Sequence, residues 1–440
     1  MSVHGLVLAA PSSGSGKTLA ALGLMAALSA RGLRVGAAKV GPDYIDPAFH
    51  AAALGQAGVT LDSWAMRPAT LADAVARAGR GRDLVIAEGV MGLFDGADVP
   101  FGADDGSTAE VALQTGWPVV LVQDVRGSSA TAAAVAAGLA RARPGIGIKG
   151  VILNRVAGPR HRAMIERALA GFAPDIAVLG ALPTTPALHL PSRHLGLVQA
   201  REHPDLAAFV RTAAKLVAGH VDLDRLVALA QPSRLNATET APPIPPLGQR
   251  IAVAEDEAFA FAYPHVIEGW RRAGALVSFF SPLADQGPDL TADAVYLPGG
   301  YPELYAARLA AGNAFLPGLR RCAERGAAIF GECGGYMVLG KSMTDADGLT
   351  HPMAGLLPVA TSMAGGRLCM GYRTAALVEA TAWGQAGAGF RGHEFHLAAE
   401  VERHGAALFR LSDAAGRALP DGGARVGTVA GSFFHMIDQA

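Results

Sequence analysis

The sequence predicts an α/β fold in two halves, each a parallel sheet covered by helices. Three observations predict it. Short apolar segments alternate with Ala/Leu-rich helical stretches, those segments are apolar on both faces, and the alternation restarts after a Pro-rich seam. In the first half, strands are expected at 5–9, 35–40, 84–87, 119–122, 150–153 and 177–182, with helices among them at 19–29 and 130–142. The seam is QPSRLNATETAPPIPPLGQ, residues 231–249. Its prolines Pro242, Pro243, Pro245 and Pro246 fit neither a helix interior nor a central strand, so a linker of polyproline II character is expected. Beyond it, strands are expected at 250–254, 276–280, 294–297 and 327–331, with helices near 261–273 and 315–325. The expected domains are therefore 1–230 and 250–440.

Composition narrows the function classes. Of 440 residues, 51% are hydrophobic and 17% charged, which is ample for large cores and far from a disordered composition. Lys and Arg number 37 against 38 Asp and Glu, a net charge of -1. That balance excludes a strongly basic nucleic-acid binder and offers nothing to an anionic membrane surface. No apolar run reaches the roughly 18 to 20 residues of a membrane span. The N-terminus lacks the basic region of a secretory leader, and three cysteines make no disulfide framework, so a cytoplasmic location is expected.

Four loops of the first half carry phosphate chemistry. The strand at 5–9 runs into PSSGSGKT and then a helix. In that context Gly14 and Gly16 let backbone N–H groups turn inward around phosphates. Lys17 reaches the outer phosphates, and the Thr18 hydroxyl suits Mg²⁺. Pro11 stands where the full pattern has Gly. The chain has only five lysines against 32 arginines, yet keeps Lys17 here and Lys39 after the next strand. In AAKVGPDYIDPAFH (37–50), Lys39 is a second cation, while Asp43 and Asp46 could hold Mg²⁺, orient an acceptor or cap a turn. In VIAEGVMGLFDG (85–96), Glu88 ends a strand, the usual place for a Mg²⁺ ligand, and Asp95 is a second acid on the same loop. In VILNRV (151–156), Asn154 at a strand end could meet an adenine edge or start a turn. Ser12 occupies the place where ATPases that partition DNA carry an extra lysine, which disfavours that dimer switch.

The second half carries a nucleophile. AAIFGECGGYMVLG (327–340) reads as strand, tight turn and a helix from near Tyr336, the logic of a nucleophile elbow around Cys333. A helix N-terminus is expected to lower the thiol pKa towards neutral. Cys322 and Cys369 read as buried apolar residues. The thiol needs a histidine. His435 follows an apolar strand at 426–430 and is favoured, whereas His393 and His396 of GHEFH face a substrate or are packed. Gly300 of YLPGGYPE and the N–H after Cys333, that of Gly334, are candidates for an oxyanion hole.

Together, PSSGSGKT, KVGPDYIDP, EGVMGLFDG, LPGGYPE and GECGGYM resemble the cobyrinic or hydrogenobyrinic acid a,c-diamide synthases, from Leu6 to His435. The resemblance implies a P-loop ATP-binding domain similar to dethiobiotin synthetase, joined to a triad-type glutamine amidotransferase domain. It implies Cys333 as glutaminase nucleophile, His435 as its base, and Lys17, Thr18, Lys39 and Glu88 around ATP and Mg²⁺. Asp43, Asp46 and Asp95 fall in the loops that position phosphate and acceptor carboxylate. Glutamine, ATP and a corrinoid are the implied partners, and a homodimer stays open. Triad-type glutaminases carry a Glu two residues after the His. Ile437 stands there, with Asp438 one residue on, so the third member is missing or displaced. Arg367, Arg373 and the segment 391–396 are candidates for receiving the polyanionic corrin. Alternatives are a diamide synthase for another tetrapyrrole such as nickel-sirohydrochlorin, or a regulatory P-loop ATPase with a degenerate amidotransferase domain. The Ala/Gly/Arg bias leans towards the metal-free corrin.

Overall fold

The computed structural model describes residues 3–100, 103–185, 188, 192–193, 196–197, 199–237 and 241–440. The chain forms two compact units. The first comprises 1–64, 68–97 and 101–239, the second 65–67, 98–100 and 240–440.

In the first unit the chain runs β1 (His4–Ala9), α1 (Lys17–Ala30), β2 (Val35–Val40), α2 (Asp46–Leu54), β3 (Val59–Leu61), α3 (Pro68–Gly79) and β4 (Leu84–Glu88). It continues with α4 (Thr108–Thr115), β5 (Val119–Asp124), α5 (Ala130–Ala142), β6 (Ile148–Val156), α6 (Pro159–Phe172) and β7 (Ala177–Pro183). A short hairpin of β8 (Ser192–Arg193) and β9 (Gly196–Leu197), helices α7 (Leu206–His220) and α8 (Leu223–Ala228), and β10 (Gln231–Pro232) complete it. The sheet order is β3-β2-β4-β1-β5-β6-β7, all parallel. Its central strands are almost fully buried, which is why they read as unbroken apolar runs. β1 lies at the centre, where the strand order reverses, so the loops after β1, β2 and β4 meet at one carboxyl edge.

The second unit repeats the plan with β11 (Arg250–Ala254), α9 (Pro264–Arg272), β12 (Leu276–Phe280), β13 (Ala294–Leu297), α10 (Ala306–Ala310), α11 (Phe315–Glu324), β14 (Ala328–Glu332) and α12 (Gly334–Leu339). Two four-stranded sheets follow. One has β15 (Ser342–Thr344), β16 (Thr350–Pro352), β17 (Val359–Ser362) and β20 (Ala399–Arg403). The other has β18 (Cys369–Leu377), β19 (Gly389–His396), β21 (Phe409–Asp413) and β24 (His435–Gln439). The main sheet runs β12-β11-β13-β14-β23-β22, with β22 at Ala424–Val426 and β23 at Val429–Ser432.

Three expectations need revision. The segment 426–430 is not one strand: Gly427 has φ 58°, and the chain turns there between β22 and β23. His435 accordingly sits on β24, in an antiparallel sheet against β19. The helix after Cys333 begins at Gly334, two residues early. The seam is not a uniform extended spacer either. Gln231 and Pro232 pair with β1, while Ile244 and Leu247 are buried and Trp270 donates to the Ile244 carbonyl. Residues 238–240 of the seam lie outside the described residues.

Candidate functional site

In the first unit the phosphate loop is set by conformation. Gly16 precedes α1 at φ 93°, and a Cβ there would lie 2.3 Å from the Asn154 amide nitrogen, so only glycine fits. Gly14 is also left-handed at φ 77°. Asn154 braces this loop: its amide donates to the Ser15 carbonyl at 2.9 Å and its oxygen accepts the Arg155 N–H at 3.0 Å. Both ends of the amide thus serve this loop.

Lys17 donates to the Met91 carbonyl across the loop after β4. Burial, with Lys39 nearby, lowers its pKa to about 8. Lys39 faces three carboxylates, Asp46 at 2.5 Å, Glu88 at 3.5 Å and Asp43 at 3.6 Å. Burial works against its charge, but Asp46, Glu88 and Asp43 more than offset this and hold it protonated. Glu88 is fully buried, which disfavours its charge, yet Lys39 and His50 keep its pKa below the usual range. The Thr18 hydroxyl donates to Glu88 at 2.7 Å and lies 3.4 Å from Asp46. One hydroxyl and two carboxylates therefore converge, an all-oxygen donor set that fits Mg²⁺, in a cluster where acids outnumber the lysine.

Asp43 and Asp95 do local work. Asp43 accepts the N–H groups of Ile45 and Asp46 at the start of α2, and Asp95 accepts the Gly92 N–H at 2.7 Å within its own loop. His50 was missed by the sequence reading. It is buried and bonded to Glu88 at 2.7 Å, its other ring nitrogen has no hydrogen-bond partner among the described residues, and it lies one turn after Asp46 on α2. That i,i+4 spacing in KVGPDYIDPAFH was the available signal.

In the second unit Cys333 sits between β14 and α12 at φ 48°, ψ −104°, a strained conformation for a non-glycine residue. A Cβ on Gly299 would lie 2.5 Å from the His435 ring carbon Cε1, and 3.4 Å from both the His435 Nε2 and the Cys333 Cβ. Gly299 is thus the gap around which thiol and imidazole gather. A Cβ on Gly334 would lie 3.2 Å from the Gly300 nitrogen, so the two backbone segments proposed for the oxyanion hole adjoin.

The expected acidic thiol is not found. Burial foremost, then Glu303, pushes the Cys333 pKa up, with Glu332 and Glu394 adding to it; the Gly334 N–H acts the other way but loses. A six-residue helix cannot outweigh that desolvation. Burial likewise holds His435 well below the usual histidine range, helped by His393 and His396. Both shifts favour a neutral thiol beside a neutral imidazole over a standing ion pair.

The flanking residues are packed against this pair. His393 stacks on His435 with centroids 4.8 Å apart at 5°, and bonds the Tyr263 hydroxyl at 2.8 Å. His396 stacks on Phe433 and bonds the Ala398 carbonyl. Arg373 donates to Glu394 at 2.7 Å and approaches the Cys369 sulfur at 3.6 Å, so Cys369 lies in a polar cluster and is not a bland core residue. Because Glu394 bears on the Cys333 thiol, the segment 391–396 belongs to the surroundings of the nucleophile. Arg367 and Arg391 are exposed.

An acid does stand near His435: Glu332, immediately before the cysteine in GECGG. Its Oε2 lies 3.7 Å from His435 Nδ1 and accepts the Tyr296 hydroxyl at 2.7 Å; its Oε1 accepts the Met436 N–H at 3.1 Å. Asp438 is engaged elsewhere, by Arg67 of the same unit, at 2.7 Å.

Fold and site define a class: a P-loop nucleotide-binding domain joined in one chain to a glutamine amidotransferase domain. Residues 6–198 match the CobQ/CobB/MinD/ParA nucleotide binding domain, and residues 250–440 match the CobB/CobQ-like glutamine amidotransferase domain. The chain is 50% identical over 439 residues to "Hydrogenobyrinate a,c-diamide synthase" of Brucella suis, covering 99% of each chain. It is 52% identical over 433 residues to the protein so named in Rhodobacter capsulatus, covering 98% of each. The chain belongs to the hydrogenobyrinate a,c-diamide synthase family. Among the described residues no helix is long and apolar enough to cross a membrane.

Proposed function

We propose that this chain converts the a and c acetate carboxylates of hydrogenobyrinic acid to amides, using ATP and the side-chain nitrogen of glutamine. The observation that carries the reading is the pairing, in one chain, of the Lys17/Lys39 phosphate site with the Cys333/His435 site. A carboxylate is a poor electrophile, and free ammonia is protonated in water. Each unit answers one of these problems.

In the first unit, ATP phosphorylates the acceptor carboxylate to an acyl phosphate. Lys17 and Lys39 face the charge that gathers on the transferring phosphoryl group. Thr18, Asp46 and Glu88 would hold Mg²⁺, which when bound supplies further positive charge to the phosphates. Asp43 and Asp95 fix the loops on either side. In the second unit, His435 takes the Cys333 proton as the sulfur attacks the glutamine amide. The N–H groups of Gly300 and Gly334 receive the oxyanion, and His435 passes the proton to the leaving nitrogen. Ammonia departs, and water then hydrolyses the thioester to glutamate.

The test is mass gain on hydrogenobyrinic acid and on cobyrinic acid, with wild type and Cys333→Ala. Wild type should exchange two hydroxyls for amino groups on the metal-free substrate with glutamine. Cys333→Ala should lose the glutamine reaction, by roughly 10⁴-fold or more, yet keep it with high ammonium salt. Loss of both nitrogen sources would refute this division of labour, and product from cobyrinic acid alone would refute the substrate.

A further inference from the structure

β24 carries no acid where an imidazole would need one. The register of β24 against β19 shifts here: Met436 pairs with Gly392 and Asp438 with Arg391, which leaves Ile437, fully buried and apolar, as the bulged residue two places after His435. Asp438 is held by Arg67. A base that is to become an imidazolium inside a buried site needs a counter-charge, because an isolated cation in a low-dielectric interior is costly.

We propose that Glu332, on the strand of the nucleophile rather than that of the base, is the residue that positions His435 and meets its charge. This rests on the reading of Cys333 and His435 given above. Three contacts support it. Oε2 is 3.7 Å from His435 Nδ1, the ring nitrogen opposite the thiol side. Oε1 accepts the N–H of Met436, which anchors the backbone next to His435. The Tyr296 hydroxyl donates to Oε2 and fixes the carboxylate from behind. The side chain is 3% exposed, so this is an interior contact and not a screened surface pair.

The proton inventory is closed. His435 takes one proton from the Cys333 sulfur at Nε2, while Nδ1 keeps its own. The imidazolium gives the first proton to the departing ammonia, and Glu332 neither gains nor loses a proton relative to water over the cycle. Its part is to hold the Nδ1–H edge towards itself, so that Nε2 faces the sulfur in the accepting tautomer. Burial pushes the Glu332 carboxyl up to about 8 beside a neutral ring, whereas an imidazolium 3.7 Å away acts in the other direction and favours the carboxylate.

The test is Glu332→Gln, with Cys333→Ala run alongside. The glutamine side chain is isosteric. Its oxygen keeps the Met436 bond, while its amide group turns a donor towards Nδ1 and favours the wrong tautomer. The expected result is a fall in glutamine-driven kcat of roughly 10²-fold or more, with KM for glutamine within about threefold and the ammonium-driven rate unchanged. The kcat–pH profile should lose the limb that reports the base. Glutamine-driven kcat within about twofold of wild type would overturn the proposal. So would equal loss of the ammonium-driven rate, since Glu332 would then be a structural support of β14. If Cys333→Ala retains glutamine use, the thiol reading itself is what fails.

Discussion

At the scale of single residues, charge placement decides what each site can do. Lys39 is the cation in contact with Asp43, Asp46 and Glu88, two of which are deeply buried. Lys39→Met would leave those acids uncompensated, and removing one partner of a buried ion cluster costs about 3–5 kcal/mol. A denaturant titration of the first unit should show that loss in EDTA and recover part of it with Mg²⁺. A change below ~0.5 kcal/mol would mean the acids need no cation. Glu332 makes a pH prediction of opposite character. Its folded pKa is about 8 against 4.5 unperturbed, so its contribution to stability is complete below pH 4.5 and disappears as pH rises through 8. The unfolding midpoint of the second unit should fall over that window, and Glu332→Gln should flatten the slope.

At the scale of elements, strand-to-loop junctions carry the function. Elements were readable because parallel strands buried on both faces look alike in any context, and the predicted strands of both main sheets are present apart from 426–430, which divides between two. The C-terminal stretch was harder. Val426 and Val429 are apolar neighbours in the chain but opposite each other across a hairpin, and only the conformation of Gly427 separates the two cases. Gly299 shows how closely a junction is fitted. Gly299→Ala would put a methyl 2.5 Å from the His435 ring, displacing it from the sulfur. Glutamine-driven kcat should drop roughly 10²-fold while the ammonium-driven rate holds. An unaffected glutamine rate would mean the imidazole has room to move and the close approach is not used.

At the scale of the whole molecule, two chemistries share one chain of near-zero net charge. Recruitment of a polyanionic substrate therefore falls to local groups and not to a long-range field. Motifs singled out Lys17, Lys39, Glu88 and Cys333 because phosphate loops and elbows need particular residues at adjacent positions. They did not reveal Glu332 or His50 as partners, since neither residue type is unusual at its place and only three-dimensional proximity gives it a task. The thiol pKa was misjudged for a related reason. A helix start can be read from the chain, whereas the desolvation and three acids that outweigh it come from distant segments.

The protonated state of Cys333 also has a consequence for the protein's chemical durability. Peroxide and disulfides react with thiolates, and this sulfur becomes one only as His435 withdraws its proton during attack. A thiol held in this form should react slowly with peroxide while no glutamine is bound, and mass spectrometry of the peroxide-treated protein, with and without glutamine, checks this at Cys333.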